Sequence, residues 1–286
     1  MGILNVTPDS FADGGLYLDP SAAEAAAVEM EARGADIIDV GGESTRPGSD
    51  TISAEAEIAR IQPVIARLSR ALKIPISVDT SKAQVAEVAM GEGASIINDV
   101  TGLGGACGPS EAQGRRASAS GGGAPRALGY DASLAEIAAR TGAGLVLMHT
   151  RGRSREMYRD AQYASVPLEI AGELRASLGR ALTAGVRLES VVLDPGLGFA
   201  KRAEHSYAAL AALPAFASLG CPLLVGPSRK SFLSAAIGER EPAGRDMATA
   251  ASVAAAVLLG AHIVRVHNVP AMVDAVRVAD TIRQQC

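Results

Sequence analysis

Eight times along the chain a short apolar run ends on a polar residue and opens into a loop. The run ends are Asn5, Asp39, Asp79, Asn98, His149, Asp194, Gly226 and His267, and Gly226 leads directly into Ser228, Arg229 and Lys230. The runs themselves (GILNV, DIIDV, PISVD, SIIND, GLVLMH, SVVLD, PLLVG and AHIVRVH) are β-branched and continuous rather than alternating. That is the pattern of parallel strands buried on both faces. Segments of helical character lie between them, at 19–34, 53–72, 81–91, 131–141, 165–184, 204–219, 247–260 and 270–283. The first opens on Asp19-Pro20, a cap followed by a first-turn proline, and closes on Gly34. Strict alternation predicts an α/β fold with a parallel sheet, and eight repeats predict a (β/α)8 TIM barrel. Such a barrel collects all eight strand ends on one face, so the polar residues above would share one pocket.

Size and composition agree. The chain has 286 residues, close to the ~250 of one such barrel, so residues 1–286 are read as a single domain. Aromatic residues make up 3% and Trp is absent, which leaves the core to Ala, Val, Leu and Ile. The net charge of −4 argues against nucleic acid as a partner, since that needs a broad basic surface. A small anionic substrate needs only a few focused cations and stays open. No secretory signal or membrane span is visible, and Cys107, Cys221 and Cys286 lack metal-site spacing. Both points favour a cytoplasmic location. Residues 104–126, rich in Gly, Ala and Ser with no apolar period, are expected to form a long mobile loop insertion after the fourth strand. A short extra helix is expected at 231–237. The segment 247–260 is apolar almost all round, as a deeply buried helix or a subunit interface would be.

The loops carry the chemistry. Asn5 is followed by Thr-Pro-Asp-Ser-Phe11, which taken alone is an ordinary turn. Gly41-Gly42 precedes Glu43, Ser44, Thr45, Arg46 and Pro47, where hydroxyls and a guanidinium offer donors to an anion. Asp79, Asn98, Asp99 and Asp194 close three strands. Carboxylates and an amide on one wall suit a planar heterocycle with an amidine-like edge. Helix capping is the rival reading and fits Asp99 best. Phe199 lies in the DPGLGF turn, and Lys230 is placed to meet a ring carbonyl or nitrogen. Arg265 and His267 alternate on the last strand and so face one side, an expensive pair unless an anion receives it. No metal-ligand cluster, nucleophile elbow or Walker loop is present in the sequence. From residues alone, the expectation is a polar heterocycle bearing an anionic leaving group.

These segments resemble the dihydropteroate synthases, a family of pterin-binding enzymes. MGILNVTPDSF, GGESTRPG, SVDT, INDVTG, LMH, DPGLGF, SRKSF and RVH occur in that family's order, with only 104–126 outside the match. The resemblance implies a transferase of folate biosynthesis. Such an enzyme condenses 6-hydroxymethyl-7,8-dihydropterin diphosphate with p-aminobenzoate, yielding 7,8-dihydropteroate and diphosphate. It also implies Mg2+ assistance, a homodimer and a target for sulfonamides. Carried across, Asp79, Asn98, Asp194 and Lys230 become the pterin pocket, with Arg265 stacking on the pterin and helping to hold phosphate. Asn5, Arg46 and His267 become the diphosphate site, with Asn5 as the metal ligand. Thr45, Pro47, Phe199 and Ser228 would border p-aminobenzoate, and Phe11 would sit on a closing first loop. Asp79, Arg46, Lys230, Arg265 and His267 would carry the catalysis.

The chain departs from the family pattern at Ala12, Thr150 and Asn268 and begins inside the first strand, without the usual N-terminal hairpin across the barrel floor. None of these changes removes a proposed catalytic group. Two other readings share the fold. A methyltransferase acting on methyltetrahydrofolate would keep the acid and amide wall but needs no diphosphate clamp. A catalytically silent pterin-binding paralogue would lose residues of the first two loops, and none is lost here.

Overall fold

The computed structural model describes residues 1–7, 19–44, 49–104, 132–152, 158 and 161–285. Phe11, Ala12, Thr45, Arg46, Pro47 and residues 105–126 of the glycine-rich segment lie outside the described residues.

The apolar runs are strands. β1 (Gly2–Asn5), β2 (Ile38–Gly41), β3 (Ile76–Asp79), β4 (Ile96–Asp99), β5 (Gly144–Met148) and β6 (Val191–Asp194) form one parallel sheet in sequence order. β7 (Leu224–Val225) and β8 (Ile263–Val264) pair in parallel beside it. Two isolated parallel bridges, Leu193 with Leu223 and Gly2 with Val266, join β6 to β7 and β8 to β1. The eight strands therefore close into a barrel.

The helices are α1 (Pro20–Ala32), α2 (Ala54–Ala71), α3 (Ala83–Gly91), α4 (Ala132–Thr141), α5 (Val166–Thr183), α6 (Ala203–Ala211), α7 (Leu213–Phe216), α8 (Ser234–Ile237), α9 (Asp246–Leu258) and α10 (Val269–Arg283). Local chemistry sets their ends. The Asp19 carboxylate accepts from Ser21 N, Pro20 opens α1, and Gly34 follows it at φ 98°. Ser53 Oγ accepts from Ala56 N at the start of α2. The expected single helix over 204–219 is corrected. Pro214 lacks the N–H that would continue it, so the chain breaks at Ala212 and restarts as α7.

Two hydrophobic layers follow from the period of two along each strand. Side chains such as Leu4, Ile38, Val40, Val78, Ile97, Leu145 and Leu193 point outward into the main core beneath the helices. The alternate positions point into the barrel. Met1, Val146 and Leu224, flanked by the half-buried Ile37, Ile96, Val192 and Ile263, make an apolar floor. Above that floor the inward side chains turn polar.

Candidate active site

Two residues further along β2, β4, β6 and β8 the apolar floor gives way to polar and charged groups. Asp39 on β2 and Asp79 on β3 are both buried. Arg265, just past β8, donates from Nε to Asp39 Oδ2 (2.6 Å) and from Nη2 to Asp79 Oδ2 (2.8 Å). Asn98 on β4 donates from Nδ2 to the same Asp39 oxygen at 3.0 Å. Two carboxylates of the protein itself thus receive Arg265, so its charge is met inside the barrel before any ligand arrives. Burial works against the Arg265 charge, but Asp39 and Asp79 outweigh it and hold its pKa above the ordinary arginine value.

The carboxylates are only half satisfied. Asp39 Oδ1 and Asp79 Oδ1 are buried and accept no hydrogen bond. Such acceptors cost free energy until a donor reaches them, of order 1–3 kcal/mol each and more when charged. Burial, only partly opposed by Arg265, pushes the Asp79 pKa up to about 7, and the nearby Asp39 charge adds to the rise.

The opposite wall comes from β6 and β7. Asp194, at the end of β6, is buried, and its Oδ1 accepts from Gly196 N at 2.7 Å. Burial raises its pKa, against the pull of Lys230. The ammonium of Lys230 donates to Leu197 O at 2.5 Å and lies 4.5 Å from the centre of the Phe199 ring. Burial lowers the Lys230 pKa to about 8, and Asp194 limits the fall. Gly196 makes the turn possible: at φ 68°, a Cβ there would stand 2.0 Å from His149 O.

Ser228 and His267 form one unit. The Ser228 hydroxyl accepts from His267 N (3.1 Å) and lies 2.9 Å from His267 Nδ1. Arg229, at φ 58°, grips Asp246 through Nε and Nη2 (2.7 and 3.0 Å), and Asn268 Nδ2 donates to Asp246 Oδ2 at 2.9 Å. Arg229 thus ties the loop after β7 to α9 rather than facing the pocket. Asp99 proves local as well. Its Oδ1 accepts from Thr101 N and Oγ1, and its Oδ2 from Leu103 N.

Around β1 and β2, Asn5 is half-buried, and its Oδ1 would lie 3.7 Å from a Cβ built on Gly41. Asp79 would lie equally close to that Cβ, so the bare Gly41 keeps the space between Asn5 and Asp79 open. Gly42 has a different reason, since a Cβ there would collide with Ile61 of α2 at 2.7 Å.

The structure thus brings together Asp79, Asn98, Arg265, Asp194, Lys230 and Phe199, with Asn5 at the edge and with Ser228 and His267 paired to each other just after β7 and β8. Two residues given no role from sequence belong with them. Asp39 had its signal, since it ends an apolar run as Asp79 does, but it stands one layer deeper. Lys201 is buried, with its ammonium 2.7 Å from His149 Nδ1, and nothing in the local sequence marks it. Among the described residues no cluster of three or more His, Cys, Asp or Glu stands ready for a metal. Nor is any helix there long and apolar enough to cross a membrane.

A closed parallel barrel with a buried acid, amide and cation pocket at its carboxyl face defines a small-molecule site of the (β/α)8 kind. The family model described as pterin binding enzyme matches residues 1–267. The dihydropteroate synthase of Mycobacterium leprae is 43% identical over 97% of this chain and 91% of its own length. That of Escherichia coli is 40% identical over 98% and 90%. Among solved structures, the Yersinia pestis dihydropteroate synthase in complex with a sulfonamide drug superposes with a TM-score of 0.86 at 35% identity, covering 99% of this chain and 94% of that one. The Xanthomonas albilineans enzyme with 4-aminobenzoic acid gives 0.83 at 36%, covering 99% and 92%. The chain belongs to the pterin-binding enzyme family and, within it, to the dihydropteroate synthases.

Proposed function

We infer that this protein condenses 6-hydroxymethyl-7,8-dihydropterin diphosphate with p-aminobenzoate to give 7,8-dihydropteroate and diphosphate. The observation that carries this reading is the pair of buried, unpartnered carboxylate oxygens on Asp39 and Asp79 beside Asn98. They call for a ligand with several N–H donors in one plane, which the pterin edge supplies. Asp194 and Lys230 face the ring from the other wall.

The chemistry needs little acid–base help, because an aromatic amine is uncharged at neutral pH and already nucleophilic. The harder event is departure of diphosphate from the methylene carbon. The C–O bond breaks with its electron pair on the diphosphate, leaving a cation delocalised into the pterin. An ionised Asp79 stabilises that cation. The amine nitrogen then forms the new C–N bond and releases its proton to water. Arg46, Arg265 and His267 are assigned to the departing charge, and Thr45, Pro47, Phe11, Phe199 and Ser228 to the aromatic amine.

Mg2+ fits the donor set only as an ion shared with the diphosphate. Asn5 offers one neutral oxygen, and a hard divalent ion of this kind takes its other ligands from phosphate and water. When bound, it would neutralise charge on the leaving group. A homodimer is proposed through α9 and α10, where Met247, Leu258, Val278 and Ile282 leave apolar surface exposed. Sedimentation at micromolar concentration tests it, and a monomer there would refute it. Sulfonamides are proposed as competitors of the amine substrate, and a cytoplasmic location is proposed with them.

The test of function mixes purified protein, Mg2+, the pterin diphosphate and labelled p-aminobenzoate. Labelled dihydropteroate is the expected product. Its absence under conditions where the Escherichia coli enzyme turns over would overturn the assignment.

A further inference from the structure

The turn after β6 carries two groups given substrate roles above, Asp194 and Phe199, and different devices hold its two ends. The sheet holds Asp194: its carbonyl accepts from His149 N at 2.8 Å, and its side chain caps Gly196 N. Further along, Gly196, Gly198 and Ala200 take left-handed φ values of 68°, 78° and 49°. That leaves Phe199 on a contorted stretch of backbone.

Lys201 holds this stretch. Its side chain is 1% exposed and turns back beneath the loop. The ammonium donates to Phe199 O (3.0 Å) and His149 O (3.3 Å) and lies 2.7 Å from His149 Nδ1. The nitrogen can carry up to three N–H donors, and three acceptors meet it here; burial holds its pKa well below the ordinary lysine value, against the pull of Asp194. The imidazole can accept at Nδ1 because its Nε2 lies 2.9 Å from Glu173 Oε2, which takes the ring proton. Glu173 is gripped in turn by Arg151, whose guanidinium covers the Tyr163 ring at 4.1 Å. The Tyr163 hydroxyl closes the circuit by donating to Ala200 O at 3.0 Å. None of these five side chains takes part in the chemistry above. A buried amine is costly unless its hydrogen bonds serve the fold or the site, and one of the three acceptors is the carbonyl of Phe199 itself.

We propose that Lys201 is a positioning residue. It fixes the Phe199 carbonyl, and thereby sets the Phe199 ring at the aromatic-amine side of the pocket, while His149, Glu173 and Arg151 hold Lys201 in place. This rests on the reading of Phe199 as a border of the p-aminobenzoate site. Because the sheet and Gly196 hold Asp194, and Lys201 reaches it only through charge, loss of Lys201 falls mainly on the amine.

Lys201→Met preserves most of the side-chain volume and removes the three donors. Two measurements on the full chain decide the matter. Hydrogen exchange over residues 197–201 should quicken, and KM for p-aminobenzoate should rise about tenfold or more, with KM for the pterin diphosphate changing by less than about threefold. Unchanged exchange overturns the proposal. So does faster exchange with both KM values moving together, the mark of a merely structural lysine. Should Lys201→Met not fold, His149→Gln keeps Lys201 but withdraws the ring acceptor, and the same split is expected at smaller size. If the parent protein makes no dihydropteroate, the functional reading fails by itself, and the exchange comparison still decides whether Lys201 holds the turn.

Discussion

Asp79 is a carboxylate under two opposed influences. Arg265 favours its charge and burial disfavours it more, so its pKa rises from the ordinary 3.8 to about 7. If the ionised form stabilises the cation, kcat/KM should climb with pH through that region. Asp79→Asn should flatten the climb and lose about 10²–10³-fold in rate, the size of effect seen when one preorganised electrostatic group is removed. An acid limb that persists in the variant would assign the titration to another group. Linkage gives a second consequence. The folded-state pKa lies above the unfolded value, so ionising Asp79 costs the parent stability as pH rises from about 4 to about 7. The melting temperature of Asp79→Asn relative to the parent should therefore move upward across that window, and a flat difference would refute the raised pKa. Ala200 poses a separate test, since it holds φ 49° while fully buried. Ala200→Gly should be neutral or stabilising by up to about 1 kcal/mol, because relief of the left-handed strain offsets the added chain entropy. A loss of about 1 kcal/mol or more in chemical denaturation would show that the methyl group packs to advantage. At this scale the sequence was legible where a polar residue ended an apolar run, as at Asp79, Asn98 and Asp194. It was silent about Lys201, whose partner His149 lies 52 residues away along the chain.

The loop after β2 shows how elements position what they carry. Lys82, just before α3, reaches Glu43 on that loop at 2.7 Å and the buried Glu57 of α2 at 2.5 Å. Glu43 also caps Ile52 N at 2.9 Å, and Arg60 of α2 donates to Gly42 O at 2.8 Å. The loop that carries Thr45, Arg46 and Pro47 is thus tied at its root to two helices. Lys82→Met should cost about 3–5 kcal/mol, because it strands the Glu57 charge inside the protein. Adding Glu57→Met should recover most of that loss, since an apolar pair of similar volume tolerates burial. Urea denaturation of parent, single and double variants checks both, and a double variant no better than the single would show that packing around Lys82, not charge, was lost. The helices themselves were plain in the sequence because cap and period coincide: Ser53 begins α2, and Ile61, Ile65 and Leu68 are buried along it. The anchor was not. Glu43 read as part of a glycine-rich loop and nothing marked Lys82, and only the bridge that Lys82 makes from Glu43 to Glu57 gives either a purpose.

At the scale of the whole molecule, closure of the barrel is uneven. β1 to β6 form a continuous ladder with three or four paired residues at each join. β7 and β8 share two pairs and meet the rest through single bridges. The sequence shows β8 as a seven-residue run, AHIVRVH, yet only Ile263 and Val264 are strand, and the amides that follow alternate between the two neighbours. Arg265 N donates to Val225 O, and Val266 N to Met1 O. A run of apolar residues reveals that a strand exists, but not which neighbour takes each of its amides. That seam also carries Arg265 and His267, so the least extensively paired part of the barrel holds two of the residues assigned to the leaving group. Local opening follows the number of cooperative contacts that must break. Amides of residues 263–266 should therefore exchange through cheaper openings than those of β3 and β4. Ligand binding adds stability to the bound conformation alone. Saturation with a pterin should accordingly raise protection along β8 more than along β5, which supplies fewer groups to the pocket. Native-state hydrogen exchange with and without ligand reads both, and equal protection across the eight strands in the free protein would show that the single bridges close the barrel as firmly as the ladder does.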